Sequence, residues 1–158
     1  MLLHWLRKIP GFKPAPNAGE RGEQTAASWL VRERGVKVLA RNWRNPRDRR
    51  DEIDLVCLDH EVLVFVEVKA RVTGALVPGF YAVDARKKRV LRRTIKAYLA
   101  QLRVKPTTFR FDVVEVTLPN GPAAKSRPGL PLSSPVAPPD PEVLHFENVA
   151  LFPKGFRA

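Results

Sequence analysis

The run Val62-Leu63-Val64-Phe65-Val66-Glu67-Val68-Lys69 constrains this chain more than any other segment. Until its charged end it is apolar at both parities, the pattern of a central strand covered on both faces. A strand buried on two sides needs a layer above and a layer below the sheet that contains it. The neighbouring segments supply them. A helix is expected from about Gly19 to Arg34, with Gly35 as its C-terminal cap. Strands follow at Val36 to Trp43 and at Ile53 to Leu58, the second joined to Val62–Lys69 by a short polar turn at Asp59 and His60, as in a hairpin. Asp84 caps a long helix reaching about Leu102, whose apolar positions Leu91, Ile95, Tyr98 and Leu102 recur at helical spacing, with Pro106 beyond its end. Thr108 to Leu118 reads as a fourth strand. The order helix, three strands, helix, strand predicts an α/β protein with a mixed central sheet flanked by helices.

At 158 residues the chain fits one domain with tails. Residues 1–18 read as an N-terminal extension and 19–118 as the core. Residues 119–142 read as a Pro-rich loop, because proline removes backbone donors and sustains neither helix nor ladder. Residues 143–158 regain apolar character and are expected to return to the core as a short strand or helical turn. The 28 Lys and Arg outnumber the 16 Asp and Glu, a formal charge of +12 that favours a polyanionic partner or an anionic surface. The lone Cys57 sits in an apolar run, reads as a small buried hydrophobe and fits a reducing cytoplasm. No run is long enough to span a bilayer, and the charges after Leu2, Leu3, Trp5 and Leu6 reverse the order of a secretory signal, so no stable membrane insertion is expected.

The chemistry concentrates where the apolar strand ends. Alternation places Glu67 and Lys69 on one face and, in the partner strand, Glu52 and Asp54 on one face. A turn at Asp59 and His60 pairs Leu58 with Glu61, Asp54 with Phe65 and Glu52 with Glu67, which brings all four charged residues to the same face. Carboxylates this close repel unless neutralised, and a divalent cation with hard oxygen ligands is the economical remedy. Bound water would then attack phosphorus, with Lys69 holding that water or neutralising developing charge. Glu23, just ahead of Ala26, Ala27 and Leu30, lies over the helix stripe that faces the sheet and can point into the same cup. Taken singly, each piece is commonplace: Glu-x-Lys ends many solvated strands, and a Glu in a first helical turn merely suits the helix dipole. Their joint placement beside a doubly buried strand in a basic chain favours the functional reading.

The motifs Gly19-x-x-Gly22-Glu23-x-x-Ala26, Arg41-Asn42-Trp43-Arg44, Asp51-Glu52-Ile53-Asp54-Leu55, Phe65-Val66-Glu67-Val68-Lys69-Ala70-Arg71 and Arg110-Phe111-Asp112-Val113-Val114 resemble those of the bacterial YraN family, also called UPF0102. The closing segment His145-Phe146-Glu147-Asn148-Val149-Ala150-Leu151-Phe152 is similar too. That family looks like a branch of the PD-(D/E)xK nuclease superfamily, akin to Holliday-junction resolvases. The resemblance implies a restriction-endonuclease-like core, a magnesium or manganese cofactor, metal binding by Asp54, Glu67 and Glu23, and a catalytic Lys69. One departure is Asp51, where the family usually has Gly.

From Asp84 to Arg103 the basic residues Arg86, Lys87, Lys88, Arg89, Arg92, Arg93, Lys96 and Arg103 face a single acidic one, a surface suited to sequence-independent phosphate contact. Lys87 shares the stripe of Leu91 and can reach the cup. Arg44 belongs to a second basic cluster with Arg41, Arg47, Arg49 and Arg50, and Arg71 continues the strand beyond Lys69; both are assigned to nucleic-acid contact. Two functions follow: a metal-dependent endonuclease acting on nucleic acid, DNA before RNA and with branched DNA among the candidates, or a non-catalytic nucleic-acid-binding protein that keeps the fold. Membrane-surface binding ranks below both. Pairing with a second copy, as junction enzymes do, is left open.

Overall fold

The structure, a computed structural model, describes residues 16–73, 84–119, 139–153 and 155–156. The N-terminal turn at Leu2 to Leu6 and most of the Pro-rich segment lie outside the described residues. Helix α1 (Ala18–Arg34) begins one residue before the expected start, because Asn17 and Glu20 form a reciprocal capping box. Gly35 ends it in the left-handed region at φ 66°, satisfying the Leu30 carbonyl.

Strands β1 (Lys37–Asn45), β2 (Asp48–Asp59), β3 (Val62–Val72), β4 (Phe109–Leu118) and β5 (Glu142–Phe146) form a five-stranded sheet in that spatial order. All neighbours are antiparallel except β3 and β4, which run parallel and are connected through helix α2 (Ala85–Gln101). This mixed, helix-flanked sheet is the expected fold class and is consistent with a restriction-endonuclease-like core. Among the described residues, no helix is long and apolar enough to cross a membrane.

Two details differ from the sequence reading. First, β1 and β2 extend toward each other and close as a hairpin around Pro46 and Arg47, where polar and basic residues hid the strand ends. The pairing is irregular: register shifts fall between Val38 and Ala40 and between Arg44 and Asn45. Second, the β2–β3 hairpin turns at His60 and Glu61, with Asp59 opposite Val62 and Leu55 opposite Val66. His60 accepts the positive φ of 53° that such a tight turn requires. The register is therefore displaced from the expected one by two residues, and Glu52 does not pair with Glu67. Within the ladder, Leu55 to Asp59 and Val62 to Val66, a shift of two preserves which face each side chain occupies, whereas a shift of one would have reversed it; Glu52 lies beyond the ladder.

The two faces of the sheet carry separate cores. On the α1 side, Ala26, Ala27 and Leu30 pack on Leu55, Cys57, Val64, Val66, Val114 and Val116. On the other, Leu91, Ile95, Tyr98 and Leu99 of α2 pack on Ile53, Val56, Leu63, Phe65, Phe111 and Val113. Phe65 is wholly buried and meets Tyr98 edge to face at 5.5 Å, a geometry that matches ring edge to ring face. Cys57 is buried in the α1-side core, and burial pushes its thiol up to about 12, as expected of an inert hydrophobe. After β5 the chain crosses to the α2 side, where Leu151 joins the core and Val149 donates to the Phe111 carbonyl at 2.8 Å.

Candidate functional site

The site forms where β2 and β3 part. Leu55↔Val66 is the last residue pair of their ladder toward this end. Alternation in β2 slips at the same point: Ile53 and Val56 both lie in the α2-side core, while Leu55 and Cys57 lie in the α1-side one. Such an irregularity re-aims a side chain and ends pairing. Asp54 occupies it, and its Oδ2 accepts the Val68 backbone N–H at 2.7 Å, so a carboxylate does what a ladder carbonyl would otherwise do.

Glu67 follows on β3 at 2 % exposure. Its Oε1 accepts from Lys69 Nζ at 2.8 Å and from Lys87 Nζ of α2 at 2.9 Å. Its Oε2 is buried without a hydrogen-bond partner. Lys87 reaches the site because Asp84 caps the first turn of α2, accepting the Lys87 N–H at 2.7 Å, which sets that side chain on the sheet-facing side with Leu91. Burial works against the Lys87 charge, but Glu67, Asp54 and Glu52 outweigh it and raise its pKa. For Asp54 the balance runs the other way. Burial, then the Glu67 charge, push its carboxyl up to about 7, against the Val68 hydrogen bond and Lys87.

Glu23 is half-buried on α1. Burial raises its pKa, a contact with Asn42 partly offsets this, and Glu52, Glu20 and Glu67 raise it further. It thus lies within electrostatic reach of the carboxylates on the sheet. The close approach of α1 that puts it there depends on Gly22, where a Cβ would stand 2.3 Å from the Ala70 Cβ. Glu52 sits at the rim, tied to Arg44 across the β1–β2 pair at 2.9 Å. Asp54, Glu67, Lys69 and Lys87 thus lie together where the strands part, with Glu23 in electrostatic reach from α1. Among the described residues, however, no group of three or more His, Cys, Asp and Glu is gathered closely enough to hold a metal.

The basic residues divide. Arg86 and Arg89 are exposed on α2 and Lys88 is half-buried. Arg92 donates to the Leu151 carbonyl, holding the C-terminal segment. Arg93 makes a bidentate pair with Asp51, which is 1 % exposed. The acidic residue that departs from the family pattern is thereby neutralised, and its pKa is lowered chiefly by that Arg93 contact. Arg71 is half-buried with an unpartnered Nε.

Sequence reasoning missed a second polar cluster on the α1 side. Asp112 is 0 % exposed, yet it accepts from Arg110 at 3.1 Å, from His145 at 2.9 Å and from the Asn148 backbone N–H at 2.9 Å. Arg110 also reaches Asp59 at 2.9 Å, and Glu147 pairs with Arg34. This network fastens β5 and the following residues to β4. An Asp in the middle of the apolar strand Phe111 to Val114 was the available signal, since a buried charge demands partners.

A mixed sheet whose diverging strands present an Asp, a Glu and a Lys between two helices defines a class of α/β proteins with a carboxylate–lysine site. The family is settled by comparison with known proteins. Residues 22–116 match the model described as "Uncharacterised protein family UPF0102". The chain is 48% identical over 98 residues to the UPF0102 protein STH1475 of Symbiobacterium thermophilum, covering 62% of this chain and 80% of that one. It is 43% identical over 103 residues to a UPF0102 protein of Anaeromyxobacter dehalogenans, covering 65% and 74% of the two chains. With the UPF0102 protein Acid345_3985 of Koribacter versatilis the figures are 39% over 119 residues, 72% and 81%. The chain belongs to the UPF0102 family.

Proposed function

We propose that this protein is a metal-dependent endonuclease that hydrolyses phosphodiesters in nucleic acid, with DNA, branched DNA included, as the substrate class. The reading is carried by the two carboxyls at the strand divergence, one buried and one partly buried: Glu67 keeps an unpartnered Oε2, and beside it Asp54 is pushed up to about 7. An all-oxygen donor set that repels itself and leaves a buried oxygen unsatisfied fits a hard divalent cation, magnesium or manganese. Asp54 and Glu67 would hold it, with Glu23 approaching from α1. When bound, the cation supplies Lewis acidity and a more acidic water.

The protein's own groups supply the rest. Lys69, 2.8 Å from Glu67, is a compact positive charge for orienting the attacking water or the phosphate oxygen that gains charge. Lys87 adds a second cation from α2. Exposed Arg86 and Arg89, with the basic residues of the β1–β2 hairpin, provide backbone contacts of a kind that carries no sequence information. The formal charge of +12 suits a polyanion.

The test is incubation with magnesium or manganese and duplex, single-stranded and junction DNA. Cleavage by wild type that disappears in Glu67→Gln and Lys69→Met supports the assignment, and cleavage that survives both refutes it. A second reading, a binding protein that keeps the fold, is favoured by the two lysines that already neutralise Glu67. It predicts salt-sensitive binding, no cleavage with any metal, and unchanged or tighter binding in Glu67→Ala.

A further inference from the structure

Beyond Lys69 the same face of the sheet carries a polar group that the proposed reaction leaves unused. Glu115 of β4 is 9 % exposed, and its Oε1 is buried with no hydrogen-bond partner. In the parallel β3–β4 register Glu67 stands beside Val113 and Lys69 beside Glu115. Register partners point to the same side of a sheet, so Glu67, Lys69 and Glu115 share the α2 face, where Val113 is part of the core. Two buried carboxylates, each with an orphaned oxygen, therefore flank one ammonium, which here rests on Glu67 at 2.8 Å. Arg71 is next along β3, yet no ion pair joins it to Glu115 among the described residues.

With Lys69 at 2.8 Å and Lys87 at 2.9 Å, two ammoniums already share Oε1 of Glu67, and each opposes a further positive charge at that carboxylate. Leaving it requires another anion, or else release of the lysine into solvent away from the reacting centre. A buried carboxylate without a partner is costly to keep, and one in register with the lysine answers that need. We infer that Glu115 is a positioning residue, a second seat for the Lys69 ammonium that relieves Glu67 of one of its two paired positive charges as a divalent cation approaches, while keeping the lysine on the working face. This rests on the metal-dependent reading above.

Calorimetric titration of the full chain with Mn2+ tests it. Glu115→Gln, which keeps shape and removes the charge, should weaken Mn2+ binding by roughly tenfold, the scale of losses when an outer partner of a metal ligand is removed. Glu115→Asp should restore much of it. In a Lys69→Met background, where no ammonium needs a seat, Glu115→Gln should change nothing. Wild-type affinity in Glu115→Gln overturns the second seat while leaving the metal site standing. An equal loss in both backgrounds also overturns it, since Glu115 would then act without Lys69. Absence of Mn2+ binding by the wild type overturns both this inference and the metal-dependent reading.

Discussion

Replacing Asp54 with Asn should stabilise the metal-free protein, and the size of the effect should depend on pH. The carboxyl titrates near 3.8 when unperturbed and at about 7 in the fold. Its charged form is thus disfavoured in the folded state, so stability is fully present below pH ~4 and declines as pH rises toward 7. Complete ionisation of a fully buried group with this displacement would cost about 4 kcal/mol. Asp54 is only partly buried, and solvent screening reduces the figure to about 2 kcal/mol. Asn cannot ionise, and its side-chain oxygen can still accept the Val68 N–H that Asp54 accepts at 2.7 Å. The variant should therefore match wild type near pH 4 and exceed it at pH 8 by ~2 kcal/mol, roughly 4–8 °C in Tm for a chain of this size. Thermal unfolding followed by circular dichroism, with chelator present, measures the difference. Added manganese should raise the Tm of wild type and leave the variant unmoved. A variant less stable than wild type at pH 8, or a gap that is the same at both pH values, would refute the reasoning.

Gly22→Ala should destabilise by ~1–3 kcal/mol in urea titrations despite better helix propensity, because its Cβ would stand 2.3 Å from Ala70 Cβ. Asp112→Ala should cost ~3–5 kcal/mol by leaving Arg110 and His145 without their buried partner, and should expose the segment after β5 to proteolysis. Arg93→Ala should lower Tm at neutral pH. Because Asp51 has a lowered pKa, that deficit should persist down to pH ~4 and shrink only as pH falls further, through the lowered range where the folded carboxylate protonates, and a Tm series in pH checks it. Binding of DNA should weaken steeply with salt, the slope shrinking in Arg86→Ala/Arg89→Ala but not in Arg93→Ala, whose guanidinium is held by Asp51.

Much of the fold was legible because its core strand reads apolar at both parities and its helices carry explicit caps at Gly35 and Asp84. The site was legible for a subtler reason. The expected hairpin register was displaced by two residues, yet Glu67 and Lys69 keep their shared face under any even displacement, and Lys87 followed from helical spacing alone. What was hidden depends on contacts between distant segments. Asp54 sits where alternation slips, which no period-two reading of β2 anticipates. Arg92 and Arg93 looked like phosphate contacts, but Leu151 and Asp51, far away in sequence, engage them. The hairpin joining β1 to β2 was obscured because its basic residues resemble a loop.

The irregular pairing of β1 bears on how two copies of this chain could meet. An edge strand recruits a neighbour when its unpaired backbone groups lie flat, straight and uncharged. Here the outer strand is kinked at both ends, between Val38 and Ala40 and between Arg44 and Asn45, and it exposes Lys37, Arg41 and Arg44. The opposite edge, Glu142–Phe146, offers only five residues. Among the described residues, then, neither margin of the sheet is a good template for extension into a second molecule.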